Sequence, residues 1–154
     1  MAGLSRRALL TGGAVVLAGG AIYAAGGRNL FYSAITEASA ATHIDPPTAH
    51  RQAAAGEILL IDIRRPEEWE LTGSGEGASR LDMRRKDFVD ALLQITGGST
   101  DMPVALICAR GVRSARLSNQ LANAGFTNII DVPEGMMGSR AGPGWLKRGL
   151  PVVR

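Results

Sequence analysis

Val104-Ala105-Leu106-Ile107-Cys108-Ala109-Arg110-Gly111-Val112-Arg113-Ser114 reads as an apolar strand that runs into a short loop holding the chain's only cysteine. Pro103 introduces the strand. A helical pattern follows from about Arg113 to Ala124, with Leu117 and Leu121 on one face and Gly125 as terminator. Strand, tight loop and helix in that order are the unit of a parallel α/β sheet. Backbone N–H groups of such a loop converge on one sulfur, and the helix behind it directs its positive end the same way. With the guanidinium groups of Arg110 and Arg113 they stabilise negative charge on Cys108, the form in which a cysteine is a nucleophile. The alternative is a buried structural cysteine, which has no use for two arginines and a glycine beside it.

Strands and helices alternate outward from this unit. Thr48 is placed to cap a helix through Ala55, stopped by Gly56. Ile58 to Ile63 is apolar throughout except for Asp62, as a strand covered on both faces requires. Phe88, Ala91, Leu92 and Ile95 recur at helical spacing ahead of Gly97-Gly98, and Asn128 to Val132 supplies a further short strand. The order is that of an α/β domain with a largely parallel sheet, which places ligands beyond the carboxyl ends of its strands. Cys108 and Asp62 both stand at strand ends and border one site on this reading. Asp62 and Arg64 are candidates to brace the reactive loop by hydrogen bonds, or to form an ion pair unrelated to it.

The cysteine loop resembles the active-site loop of the rhodanese family, in which Cys-x-x-Gly-x-Arg-Ser curls around a sulfur-carrying cysteine. Cys108, Gly111, Arg113 and Ser114 match that pattern. Protein tyrosine phosphatases use a loop one residue longer, to cradle a phosphate, and usually place a histidine where Ile107 stands. Leu60-Ile61-Asp62-Ile63-Arg64-Arg65-Pro66-Glu67-Glu68-Trp69 resembles the family's first signature, an apolar strand ending in Asp-Val-Arg with a Glu-aromatic pair behind it. Gly73-Ser74-Gly75-Glu76-Gly77-Ala78 stands where the family usually has Gly-His-Ile-Pro-Gly-Ala, which suggests an altered, more flexible loop. Glu134-Gly135-Met136, Trp145 and Gly149-Leu150-Pro151-Val152 echo the family's closing segments, with Met137 to Gly144 widening the spacing before the tryptophan. The matches span residues 43–154. The resemblance implies a three-layer domain, a five-stranded, largely parallel sheet flanked by helices, and chemistry without a metal or organic cofactor.

The amino terminus concerns location. Ser5-Arg6-Arg7-Ala8-Leu9-Leu10 leads into Leu9 to Ala25, which carries no charge. A basic n-region before an apolar h-region is the layout of an export signal, and the paired arginines resemble a twin-arginine signal that moves folded proteins to the periplasm. A general secretory signal or an uncleaved anchor are the alternatives. The uncharged stretch lies at the short end of what spans a bilayer, and Ala38-Ser39-Ala40, the best cleavage site, lies far behind it. The organisation read from the sequence is a signal or membrane anchor at 1–27, a linker at 28–42 and the domain at 43–154.

Formal charge is +3, from 17 basic and 14 acidic residues; Arg6 and Arg7 belong to the leader, which leaves +1 for the remainder. That balance provides no footprint for nucleic acid. A single cysteine allows no internal disulfide, and a free thiol in an oxidising compartment is a hazard unless it is used. His43 and His50 lack partners at metal-ligand spacing and read as surface residues. Arg84, Arg85 and Lys86 read as an exposed helix start, and Met136, Met137 and Trp145 as core.

The resemblance implies a sulfurtransferase. Cys108 takes the sulfane sulfur of a small donor such as thiosulfate as a persulfide and passes it to a thiol, to cyanide, or to a protein acceptor. Arg110 receives the donor's anionic end or, as the alternative, is a solvated surface charge, and Arg113 fixes the loop. Two further classes stand beside this one: a rhodanese-like binding or regulatory module, and a thiol redox sensor, which would lack a resolving cysteine in this chain.

Overall fold

The computed structural model describes Tyr32 and residues 34–154. The export-signal and anchor expectations fall on residues 1–27, outside the described part. Among the described residues no helix is long and apolar enough to cross a membrane.

The elements, in chain order, are β1 (Thr42–His43), α1 (Pro46–Ala54), β2 (Leu59–Asp62), α2 (Pro66–Thr72), β3 (Ser74–Gly75), β4 (Ala78–Arg80), α3 (Phe88–Ile95), β5 (Val104–Ile107), α4 (Val112–Asn123), β6 (Ile129–Asp131) and β7 (Val152–Val153). Five strands form one sheet in the order β1-β6-β5-β2-β4, and every neighbouring pair is parallel. The all-parallel arrangement follows from the helical or looped crossover between each pair. β5 lies at the centre, with Ile107 opposite Asp62 of β2 and Leu106 opposite Asp131 of β6. Three strand ends therefore meet where Cys108 begins. β3 and β7 pair antiparallel as a separate two-stranded ribbon.

Both faces of the sheet are covered. The two-residue period of β5 sends Val104, Leu106 and Cys108 into one apolar cluster, with Phe88 and Leu92 of α3 and Leu117 and Leu121 of α4. Ala105 and Ile107 enter the opposite cluster with Ala49 of α1, Met136 and Trp145. All four β5 side chains are fully buried, which explains the unbroken apolar run of this strand.

Some boundaries and faces differ from the sequence reading. α1 is capped by Asp45, whose side chain accepts the Thr48 N–H at 2.9 Å, so Thr48 lies inside the first turn; Pro46 at the first helical position suits this start. Ile95 and Met137 are exposed and Met136 and Trp145 buried, so the core reading holds for two of the three residues in the last group. Arg84, Arg85 and Lys86 lie just ahead of α3 and are exposed; Arg84 pairs with Asp82 and Arg85 with Asp87.

The segment 73–78 corrects the expectation of a looser loop. Ser74, in the place of the family's histidine, is buried and donates to Asp62 Oδ2 at 2.6 Å. Gly75, in the place of isoleucine, lies under the Trp145 ring, and a Cβ there would come within 2.7 Å of it. Glu76 pairs with His50 at 2.9 Å, and His50 stands edge-on to Trp145, ring centroids 5.6 Å apart. The altered residues fit a tryptophan that packs against this segment.

Candidate active site

Cys108 follows β5 directly and is almost fully buried at the floor of a pocket of about 530 Å³. Its Sγ accepts the Gly111 N–H at 3.2 Å and lies 3.6 Å from Ser114 Oγ. Gly111 is the N-cap of α4 and adopts φ +81, a left-handed conformation that turns the chain from loop to helix while aiming its N–H back at the sulfur. No other residue fits there, because an added Cβ would meet the Pro133 carbonyl oxygen at 2.3 Å. The sulfur thus sits at the positive end of a helix of 12 residues.

Neighbouring segments fix the rest of the loop. Met136 N–H donates to Cys108 O at 2.8 Å and Met137 N–H to Ala109 O at 2.9 Å. Ser114 Oγ donates to Gly111 O at 3.1 Å, closing the loop onto the first turn of α4. Val112 lines the pocket beside Ala109. Arg110 also lines the pocket; its Nη1 donates to Gly138 O at 3.1 Å, and its guanidinium lies 5.3 Å from the Tyr32 ring centroid.

Arg113 makes a two-pronged bond to α2, with Nη1 and Nη2 each 2.7 Å from an oxygen of Glu68. Burial alone would lower the Arg113 pKa, but Glu68, the charge that Cys108 can carry and Asp62 raise it overall. Burial likewise pushes the Glu68 carboxyl up. The hydrogen bonds from Arg113 and from the Arg65 N–H, with the charges of Arg113 and Arg64, outweigh it and hold Glu68 below its ordinary value. With Arg113 engaged by Glu68, Arg110 and Arg65 are the other cations lining the pocket, together with Glu67 and the exposed Leu71.

Asp62 and Arg64 form a fully buried pair, Arg64 Nη2 to Asp62 Oδ2 at 2.7 Å and Nε to Oδ1 at 2.9 Å. Arg64 also donates to Gly73 O at 2.7 Å, to Thr72 Oγ1 at 2.9 Å and to Glu68 O at 3.4 Å. These bonds run to α2 and the residues after it, and they reach the Cys108 loop one step removed, through Glu68 and Arg113. A buried pair with each charge multiply hydrogen-bonded has the geometry that low-dielectric burial demands.

Residues to which the sequence reading assigns no role complete the site. Glu68 stands within the first signature; Pro66 at the first helical turn and Glu68 accepting the Arg65 N–H are the signals that mark α2. Glu134 is buried and binds Gly144 N–H at 2.9 Å and both prongs of Arg148 at 2.8 and 2.7 Å, so it folds the widened 137–144 segment toward Arg110. Asp131, at the end of β6, is buried, and its Oδ1 has no hydrogen-bond partner among the described residues. Burial pushes its carboxyl up, partly offset by the nearby Ser114 hydroxyl, the His43 ring and the Val132 N–H. His43 lies 3.9 Å from Asp131, and among the described residues no group of side chains could hold a metal ion.

A model of the rhodanese-like domain matches residues 45–141, which include both Asp62 and the Cys108 loop. The chain belongs to the rhodanese-like domain family. An uncharacterized protein of Rickettsia prowazekii (strain Madrid E) is 29% identical over 103 residues, covering 60% of this chain and 80% of that protein. A tRNA uridine(34) hydroxylase of Legionella pneumophila (strain Corby) is 23% identical over 100 residues, 64% of this chain but only 39% of that enzyme. Among solved structures, the polysulfide-sulfur transferase homodimer of Wolinella succinogenes superposes with a TM-score of 0.60 at 24% identity, covering 85% of this chain and 92% of the other. That likeness establishes the shared fold of this rhodanese-like domain.

Proposed function

We propose that this rhodanese-like protein is a sulfurtransferase that carries sulfane sulfur on Cys108. The observation that carries the reading is the seat of the sulfur: Sγ lies at the floor of an open pocket, 3.2 Å from the Gly111 N–H at the head of α4. The loop closes around one sulfur atom and leaves the pocket above it for a donor. In the first half-reaction the Cys108 thiolate attacks the outer sulfur of thiosulfate. A new S–S bond forms, the donor S–S bond breaks, and sulfite leaves with the bonding pair. The Gly111 N–H and the α4 terminus stabilise the persulfide anion in the way an oxyanion hole stabilises an alkoxide. In the second half-reaction a thiolate or cyanide attacks the terminal sulfur and restores Cys108 as thiolate. Arg110 binds the anionic end of the donor, and Arg113, held by Glu68, fixes the loop. The twin-arginine-like leader supports a periplasmic site of action, with the domain cut free or tethered through its amino-terminal segment.

Steady-state kinetics with thiosulfate and cyanide test the reading. Parallel double-reciprocal lines, and no turnover in Cys108→Ser, are the expected results; intersecting lines or an active Cys108→Ser variant would overturn it.

A further inference from the structure

The segment ahead of the sheet contributes to the pocket. Thr36 Oγ1 donates to Tyr32 O at 2.6 Å, Glu37 pairs with Arg116 of α4 at 3.1 Å, and Asn119 of α4 donates to Ala38 O at 3.0 Å. These ties lay residues 36–38 along the outer side of α4, with Thr36 beside Arg110 and Gly111 in a small cleft that also includes Ser139 and Arg140. At the near end of this strap the Tyr32 ring faces the Arg110 guanidinium at 5.3 Å and lines the same pocket as Cys108.

An arginine side chain on a loop has many rotamers, and holding it in one costs conformational entropy. Arg110 is bounded on one side by the Gly138 carbonyl and on another by the aromatic face of Tyr32. A guanidinium over an aromatic ring keeps its charge and its edge donors, so it remains able to bind an anion while its position is restricted. We propose that Tyr32 is a positioning residue of the pocket: its ring holds Arg110 at the opening over Cys108, where the guanidinium draws anionic reactants to the sulfur. The inference takes the donor-binding role of Arg110 from the functional reading above. It assigns to the strap, on the leader side of the domain, part of the control of which reactants reach the thiol.

The test uses the full chain and its single cysteine as reporter. Alkylation of Cys108 by anionic iodoacetate and by neutral iodoacetamide is followed by intact mass, and the ratio of the two rates is compared with that of free cysteine. The wild type is expected to favour iodoacetate relative to free cysteine. Tyr32→Ala is expected to lower the ratio about two- to fivefold, the equivalent of one cation–π contact at an accessible site. Tyr32→Phe, which keeps the ring, retains it. Arg110→Ala lowers it at least as far, and adding Tyr32→Ala to Arg110→Ala changes nothing more, because Tyr32 acts through Arg110. A ratio unchanged in Tyr32→Ala, a further fall in the double variant, a wild type without anionic preference, or a thiol neither reagent modifies would each overturn the proposal. The ratio involves no sulfur transfer, so a normal ratio without persulfide formation counts against the functional reading and not against the role of Tyr32.

Discussion

Arg113, in the first turn of the helix behind the cysteine loop, and Glu68, in the short helix after β2, are joined by two parallel hydrogen bonds of 2.7 Å. The pair links the two segments that the sequence marks most strongly, and it converts a buried structural hub at Asp62 and Arg64 into support for the loop that holds Cys108.

Replacing Glu68 by Gln removes the charge and one prong of this pair. The pair is partly exposed, so solvent screening limits the expected loss of stability to about 1 kcal/mol at neutral pH. Glu68 is held below its ordinary value of 4.5, so its stabilising contribution is complete above that pH and is lost as pH falls through the depressed folded-state value. Urea midpoints of wild type and Glu68→Gln should therefore differ at pH 7 and converge in acid. A constant difference across the range would show that the ionised pair is not the source.

Gly111→Ala places a side chain at φ +81 against the Pro133 carbonyl oxygen, 2.3 Å from the new Cβ. The left-handed conformation and the clash together should cost about 2–4 kcal/mol. Denaturant unfolding measures this directly, and a loss below 1 kcal/mol would mean that the loop adopts another path around the sulfur.

Arg64→Ala leaves the Asp62 carboxylate buried with its main countercharge gone. Loss of one partner from a buried pair costs about 3–5 kcal/mol, so a large drop in stability is expected. Arg113→Ala, from a more exposed pair, should lower stability much less while slowing the sulfur transfer proposed for Cys108. If the two variants lost stability equally, the hierarchy drawn between hub and loop would be wrong.

Asp131 gives the opposite pH dependence. Its folded-state pKa is raised above the ordinary 3.8, mainly by burial, so the folded protein disfavours its ionised form. Stability associated with the group is full below 3.8 and declines as pH rises through the raised value. Asp131→Asn should therefore raise the melting temperature at pH 7 and leave it unchanged near pH 3. A variant less stable than wild type at pH 7 would show that the carboxylate is matched by attractive contacts there.

The central β5–loop–α4 unit was legible because three independent signals coincide on it: an unbroken apolar strand, a glycine at the turn and helical periodicity behind. The parallel sheet followed from the alternation of elements. α2 escaped periodicity because it buries none of its residues and is set by its capping interactions and by Arg64. The two-residue strands β1, β3 and β7 are too short to carry a pattern, and they exist through pairing with distant segments. Departures from the family's usual residues at Ser74 and Gly75 read as loosening because their partners, Asp62 and Trp145, lie 12 and 70 positions away. Tyr32 was hidden for the same reason: a ring on a spacer acquires meaning only from the arginine it faces.

The account rests on Cys108 as a carrier of sulfane sulfur. Its most direct test is the intact mass of the full chain after incubation with thiosulfate, before and after cyanide, for wild type and Cys108→Ser. The account predicts a gain of one sulfur atom on the wild type, its removal by cyanide and no gain on the variant. An unchanged wild-type mass with the protein folded and the thiol free, or a gain that persists in Cys108→Ser, would contradict it.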